Sequence, residues 1–253
     1  ILLIHDTLPG ASGYEWSKIE DELAIDHTVY TVDLLGCGRS DKSSITYTNF
    51  VYVQMISDFI KKIIGQKTDV ITSGFSGSFV TMACHNEKEL FNKIMLVNPP
   101  SLTQLKQMPN RKDRLLKAAL EIPIFGTLVY HMIVSRDNIN NLFIEKMYYN
   151  PFHVDNQMAD AYYEAAHKGG YYTRFLYSSL AAKYININIC HALKALDNSI
   201  YIVEGETEPN GKAVTDDYCA SNPAIEVSVL KETKHLPHVE APEAFLEQVK
   251  IFF

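Results

Sequence analysis

A parallel β-sheet with helices on both faces, opened midway by an all-helical insertion, is the fold class that this sequence predicts. Three observations carry it. Short apolar or β-branched runs alternate with helical patterns through the first hundred residues. The same alternation resumes after residue 198, and the stretch between, about residues 100–195, contains no convincing strand.

In order, "ILLI" is a short, fully apolar strand, "SKIEDELA" a helix, and "TVYTVDLL" a β-branched strand running into a loop. Val53, Ile56, Ile60, Ile63 and Ile64 recur at helical spacing, and Gly65 stands where a C-cap belongs. "DVITSG" and "KIMLVNPP" are two more buried-type strands. Beyond the insertion come "SIYIVEG", a helical "AVTDDYCA", "AIEVSVL", and a final helix opened by Ala241-Pro242, proline being tolerated in a first turn. Amphipathic pieces such as "RKDRLLKAALEI" and "MADAYYEAAH" fill the insertion. The expected organisation is a core of residues 1–99 and 196–253 with a helical lid over residues 100–195, on the side where ligands bind in open α/β sheets.

The 253 residues, 47% of them hydrophobic, suffice for one large core. A net charge of −7 without a Lys/Arg cluster argues against a nucleic-acid partner or an anionic membrane surface, and no apolar stretch is long enough for a membrane span. Cys37, Cys84, Cys190 and Cys219 are scattered without metal-ligand spacing, so reduced thiols, a cytoplasmic location and no metal are expected.

Function on such a sheet gathers in the loops that follow strands. Here these read "IHDTLPGASGYEW", "DLLGCGRSDK", "SGFSGSF", "EGETEPN" and "ETKHLPHVEAPEAF". Together they resemble the α/β-hydrolase superfamily. The most similar group is the cap-bearing serine hydrolases, with an HG-type loop, a D-L-L-G-x-G-x-S-D loop, a serine elbow, an acid loop and a G-H-x-P-H-x-E-x-P end. The likeness covers about residues 1–98 and 199–253 and leaves out the lid.

The resemblance implies Ser76 as nucleophile, His235 as base and Glu208 as the acid that orients it, in the chain order expected on this fold. It implies oxyanion-hole donors at the backbone N–H groups of Thr7 and Gly77, and no cofactor. Glu206, Asp216 and Asp217 are rival carboxylates, but Glu208 fits the motif spacing, and His238 reads as a packing residue. Family glycines are missing at Asp6, Ser78, Phe79 and Lys234. Asp6 is expected to face solvent or the adjacent loop, because an inward carboxylate would repel a developing oxyanion; Phe79 needs space or lines the pocket wall. The family core usually has strands before the run "ILLIHD" on which the given sequence opens, so either further chain precedes that run or this member is short.

Nine tyrosines fall in the insertion, among them the pairs 148/149, 162/163 and 171/172. Most should split between core and surface, and a few could give a pocket an apolar wall with hydroxyl tips. The expected function is hydrolysis of a small to medium carboxylic ester or related acyl compound through an acyl-enzyme. The same triad could instead serve a carbon–carbon bond hydrolase or lyase, and the missing glycines leave open a non-catalytic ligand-binding protein.

Overall fold

The computed structural model describes residues 1–253. Six strands, β1 (Leu2–Ile4), β2 (Tyr30–Val32), β3 (Thr68–Ser73), β4 (Phe91–Val97), β5 (Ile200–Gly205) and β6 (Glu226–Leu230), form one wholly parallel sheet in the order β2-β1-β3-β4-β5-β6. Helices cross over between them: α1 (Glu20–Asp26), α2 (Asn49–Phe59) and α3 (Ser76–Asn86) in the first half, and Gly211–Ser221 between β5 and β6. Apart from Glu204, the buried side chains of β4 and β5 are apolar, as suits strands covered on both faces, whereas edge strand β6 exposes Glu226, Val227 and Val229. Gly65 ends the second crossover in a left-handed conformation (φ 73°), and Pro242 opens the final helix, Pro242–Phe252.

Alternate side chains of each strand serve opposite layers. Leu2, Ile4, Val70, Ile94 and Ile200 pack beneath α2 and α3; Leu3, Ile71, Met95, Tyr201 and Val203 meet Trp16, Leu23 and Phe245 on the other face. Phe79 is fully buried against the ring of Tyr52, 4.9 Å between centroids, so it fills the core rather than a pocket wall.

Between β4 and β5 the chain holds helices and no strand. Tyr130, Phe143, Met147, Met158 and Tyr162 build a second apolar cluster there, closed by Leu236 and Val239 from the loop after β6. The later part packs differently. Leu176, Ile185, Ile189 and Leu193 belong to the main core cluster, and Asn49 Nδ2 donates to the Asn186 carbonyl at 2.7 Å. In packing, therefore, the segment from about Leu176 onward is a core layer, because its apolar face closes the end of α2. The tyrosine pairs 148/149 and 162/163 split, the first member of each being buried, while Tyr171 and Tyr172 are both exposed. No single helix is long and apolar enough to cross a membrane.

The sheet order reverses between β1 and β3, since β1 leads outward to β2 and β3 leads the other way to β4. That switch opens a crevice beyond the carboxyl ends of β1 and β3. Residues 5–7 and 74–76 stand at its mouth.

One glycine shapes this end of the sheet. A Cβ on Gly205, the last residue of β5, would lie 1.9 Å from the carbonyl oxygen of Lys234. Gly205→Ala is expected to force the His235 loop off the sheet and destabilise the fold by about 1–3 kcal/mol. Thermal unfolding checks this, and an unchanged midpoint would mean that the loop does not press on β5.

Candidate active site

The residues at the crevice come from the ends of five strands. Asn98, after β4 and in the left-handed region (φ 44°), ties three of these ends together. Its Nδ2 donates to the carbonyls of Lys234 and His235 at 2.8 and 2.9 Å, and its Oδ1 accepts from Gly205 N at 3.0 Å. His235 N donates to the Met147 carbonyl at 3.1 Å, so the histidine loop also hangs from the helical insertion.

Glu208 and His235 meet as the motif spacing predicts, with Glu208 Oε1 3.2 Å from His235 Nδ1. Ser76 does not join them. It is the first residue of α3 and fully buried, and its hydroxyl donates to the His5 carbonyl at 2.6 Å. That direction leaves the Thr7 hydroxyl to donate to Ser76 Oγ, 2.8 Å away. Both links tie the start of α3 to the end of β1.

The reason lies in where the chain turns. β3 ends at Ser73, and among residues 73–77 only Gly74 has a positive φ, at 52°. The point of the strand-to-helix elbow is thus Gly74, two positions before Ser76. A Cβ on Gly74 would project into the site and meet the Asp6 carboxylate, 2.2 Å from Cγ.

Asp6 faces inward, contrary to its expected solvent-facing or loop-facing placement. Its Oδ1 accepts from Thr7 N at 2.6 Å and from Phe75 N at 2.7 Å. These amides, one from the loop after β1 and one following the elbow point, are the pair that an oxyanion hole of this fold would use. The Thr7 donor is where the resemblance implies it; the second donor is Phe75, because Gly77 N is spent on the Gly74 carbonyl at 3.2 Å in the first turn. Asp6 Oδ2 points to His235 Nε2 at 3.5 Å. His235 is therefore flanked by a carboxylate on each ring nitrogen.

The repulsion that argued against an inward Asp6 is met by this bonding. Two amide donors and a facing imidazole stabilise the carboxylate where it sits. Burial opposes a charge on His235, but the hydrogen bonds to Asp6 and Glu208 outweigh it and raise its pKa from 6.5 to about 10. Near neutral pH the ring is an imidazolium.

A second buried network holds the Asp6 loop. Leu34 N donates to His5 Nε2 at 3.0 Å, leaving Nδ1 to donate to the Asp6 carbonyl at 2.6 Å. Asp6 N donates to Glu15 Oε2 at 3.3 Å, the Tyr162 hydroxyl reaches the same oxygen at 3.4 Å, and Ser73 donates to Oε1. His238 lies 3.3 Å from Glu15 Oε1 and stacks on Trp16 at 4.3 Å, so it is both a packing residue and a close neighbour of that carboxylate. Burial works against the Glu15 charge, yet the His238 and Ser73 bonds keep its pKa below the usual value. In the loop after β2, Asp33 accepts from the amides of Gly13 and Arg39, each at 2.6 Å, and so buttresses the same region.

A cavity of about 620 Å³ opens onto this centre. Asp6, Gly74, Phe75, Glu208 and His235 line its floor, while Leu142 and Met147 come from the insertion. No tyrosine lines it, so the tyrosine-rich segment does not supply the aromatic wall that it suggested. No group of three His, Cys, Asp or Glu side chains is placed to hold a metal ion.

Comparison with known proteins agrees with this architecture. The model of the alpha/beta hydrolase family matches residues 1–248. Uncharacterized proteins of Mycobacterium tuberculosis and Mycobacterium bovis are 26% identical over 104 residues, 41% of this chain but only 30% of their own length. A meta-cleavage product hydrolase from Pseudomonas fluorescens IP01 superposes with a TM-score of 0.77 at 19% identity, covering 100% of this chain and 89% of that one. For the 2-hydroxy-6-oxo-6-phenylhexa-2,4-dienoate hydrolase of Rhodococcus sp. strain RHA1 the values are 0.78, 18%, 100% and 89%. At such identities these likenesses speak for the fold alone.

The flanking of His235 by two carboxylates has a direct readout. By histidine NMR its ring should remain protonated at pH 8, and Asp6→Asn or Glu208→Gln should each lower its pKa. Because the folded value is raised, the attached stability is present below about 6.5 and is lost as pH rises through about 10. Asp6→Asn should shrink that loss in chemical denaturation, whereas a wild-type ring titrating near 6.5 would rule out the bridge. On fold, strand order and sequence match, the chain belongs to the alpha/beta hydrolase family.

Proposed function

We propose that this chain is a hydrolase of small, uncharged organic molecules whose working centre is Asp6, His235 and Glu208, and that Ser76 is structural. The observation that carries this reading is the position of His235 between the two carboxylates on the cavity floor, while the Ser76 hydroxyl is committed to the end of β1. An acyl-enzyme on serine finds little support here. No serine hydroxyl is bonded to His235, and the amides that would hold a substrate oxyanion already hold Asp6. Family membership supports hydrolysis as the general activity.

Carbon–carbon bond hydrolysis, suggested by the described activity of two structural neighbours, would on the usual triad need the same absent serine. A second reading has one observation in its favour. An imidazolium cannot accept a proton, so a His235 charged near neutral pH suits a small-molecule binding protein as well as a resting enzyme.

The test sets the variants against one another on a panel of small esters, epoxides and alkyl bromides. Asp6→Asn and His235→Gln should each lower turnover about a hundredfold or more, while Ser76→Ala should change it only a few-fold. Ser76→Ala should instead cost stability, about 1–3 kcal/mol for the buried hydrogen bonds it removes. A fluorophosphonate should leave Ser76 unlabelled. Labelling mapped to Ser76 would restore the serine mechanism, and binding of panel compounds without turnover would favour the binding protein.

Rebuilding the serine arrangement offers a gain-of-function check. Gly74→Ser alone should fold poorly, since its Cβ meets Asp6. Combined with Asp6→Gly, it places a hydroxyl beside His235 and frees the amides of Thr7 and Phe75. The double variant should hydrolyse p-nitrophenyl acetate with a burst and take a fluorophosphonate label at position 74. A folded double variant with neither property would mean that Gly74 is not the elbow point.

A further inference from the structure

We infer that Glu204 is a specificity-determining residue, and that it selects a small molecule carrying an uncharged hydrogen-bond donor, a hydroxyl or a carboxamide N–H. The inference rests on the reading above that substrate binds in the cavity over His235. Glu204 stands one residue before the end of β5 and lines that cavity together with Asp6, Glu208 and His235. It is only 5% exposed, yet its Oε2 has no hydrogen-bond partner. The Thr215 hydroxyl beside it faces the carbonyls of Lys212 and Gly211, at 3.1 and 3.3 Å.

The chain makes room for this carboxyl. A Cβ on Gly211, the first residue of helix Gly211–Ser221, would lie 2.4 Å from Glu204 Oε1. Gly211 does not have a positive φ, so space rather than backbone conformation calls for glycine there. A buried oxygen without a donor costs stability and needs a reason. A structural polar residue spends its bonds on neighbouring elements, as Asn98 does at the same end of the sheet. Glu204 Oε2 spends none. Glu208 repeats the pattern, with Oε1 at His235 and Oε2 buried without a partner. Two acceptors in the lining of one cavity thus lack donors, and donors are what a bound molecule would bring.

Charge decides the kind of donor. Four carboxyl side chains (Asp6, Glu145, Glu204 and Glu208) and three basic ones (Lys146, Lys234 and His235) line the cavity, so it favours neither a cation nor an anion strongly. Burial first, and then the nearby Glu208 charge, raise the Glu204 pKa against the Thr215 bond. That drift toward the neutral acid further weakens the case for an ammonium ligand. A hydroxyl or carboxamide N–H can donate to the carboxyl in either protonation state. Leu142 and Met147 offer the rest of such a molecule apolar contact.

NMR titration with matched probes tests this without requiring turnover. Butyramide and 2-pentanone have nearly the same shape and differ by an NH2 in place of a methyl group. Butyramide should bind about tenfold tighter or more, because a site that bonds an N–H rejects the analogue lacking it. Glu204→Met should abolish that preference by weakening butyramide, and Glu204→Gln, which keeps an acceptor, should retain it within a few-fold. Butylammonium should bind no better than 2-pentanone. Glu204→Met should also raise the thermal midpoint, since it removes a buried oxygen that has no donor. Equal affinity for the two neutral probes, tightest binding of butylammonium, or a lowered midpoint with the preference intact in Glu204→Met would each overturn the inference. Turnover of the ester, epoxide and bromide panel by a protein without the donor preference would overturn the inference and spare the reading beneath it. The preference without any turnover would uphold Glu204 and overturn the hydrolase reading.

Discussion

The bonding of one carboxylate oxygen of Asp6 by two backbone amides is the constraint around which the functional end of this molecule is arranged. It requires a residue without a side chain at position 74, because the carboxylate occupies the volume that a Cβ would fill. It leaves the second oxygen facing His235, and with Glu208 on the other ring nitrogen it converts that histidine from a neutral base into a cation. Buried charge of this kind persists only where partners are fixed. The networks of His5, Glu15 and Asn98 supply that rigidity from the strand ends beneath.

The helical insertion takes part in the same arrangement. Tyr162 reaches the buried Glu15 that accepts from Asp6 N, and Met147 accepts from His235 N. Both sides of the ion pair are thus fastened to the segment between β4 and β5. The first part of that segment builds its own apolar cluster and lends Leu142 and Met147 to the cavity lining, and its second part is a layer of the main core, where Leu176, Ile189 and Leu193 pack.

Much of the fold was legible because the strands are buried on both faces and read as continuous apolar runs bounded by turn residues. The meeting of Glu208 with His235 was legible too, since both lie in strand-following loops. The elbow is hidden in the sequence for a local reason. "SGFSGSF" contains a serine between glycines, and that pattern draws the eye to Ser76, yet β3 ends at Ser73 and the turn follows at once. The length of the strand was the better guide to the turn than the serine. Asp6 stands out in the sequence as a departure from the family glycine, but its direction depends also on the Phe75 amide, 69 positions along the chain, a relation that sequence distance hides. Asn98 and Glu15 carry no motif at all. Their roles come from reaching several chain segments at once, and only the folded arrangement displays that.

The exchange of a side chain at position 74 for one at position 6 also bears on how such a site can change over evolutionary time. From this arrangement, removing the carboxylate first leaves an imidazole with nothing to act on, and adding a side chain at the elbow first drives it into the carboxylate. Each single step is a loss, although the two together lead to another workable geometry. A lineage that has crossed such a valley is held on its far side by steric exclusion as much as by selection for its chemistry.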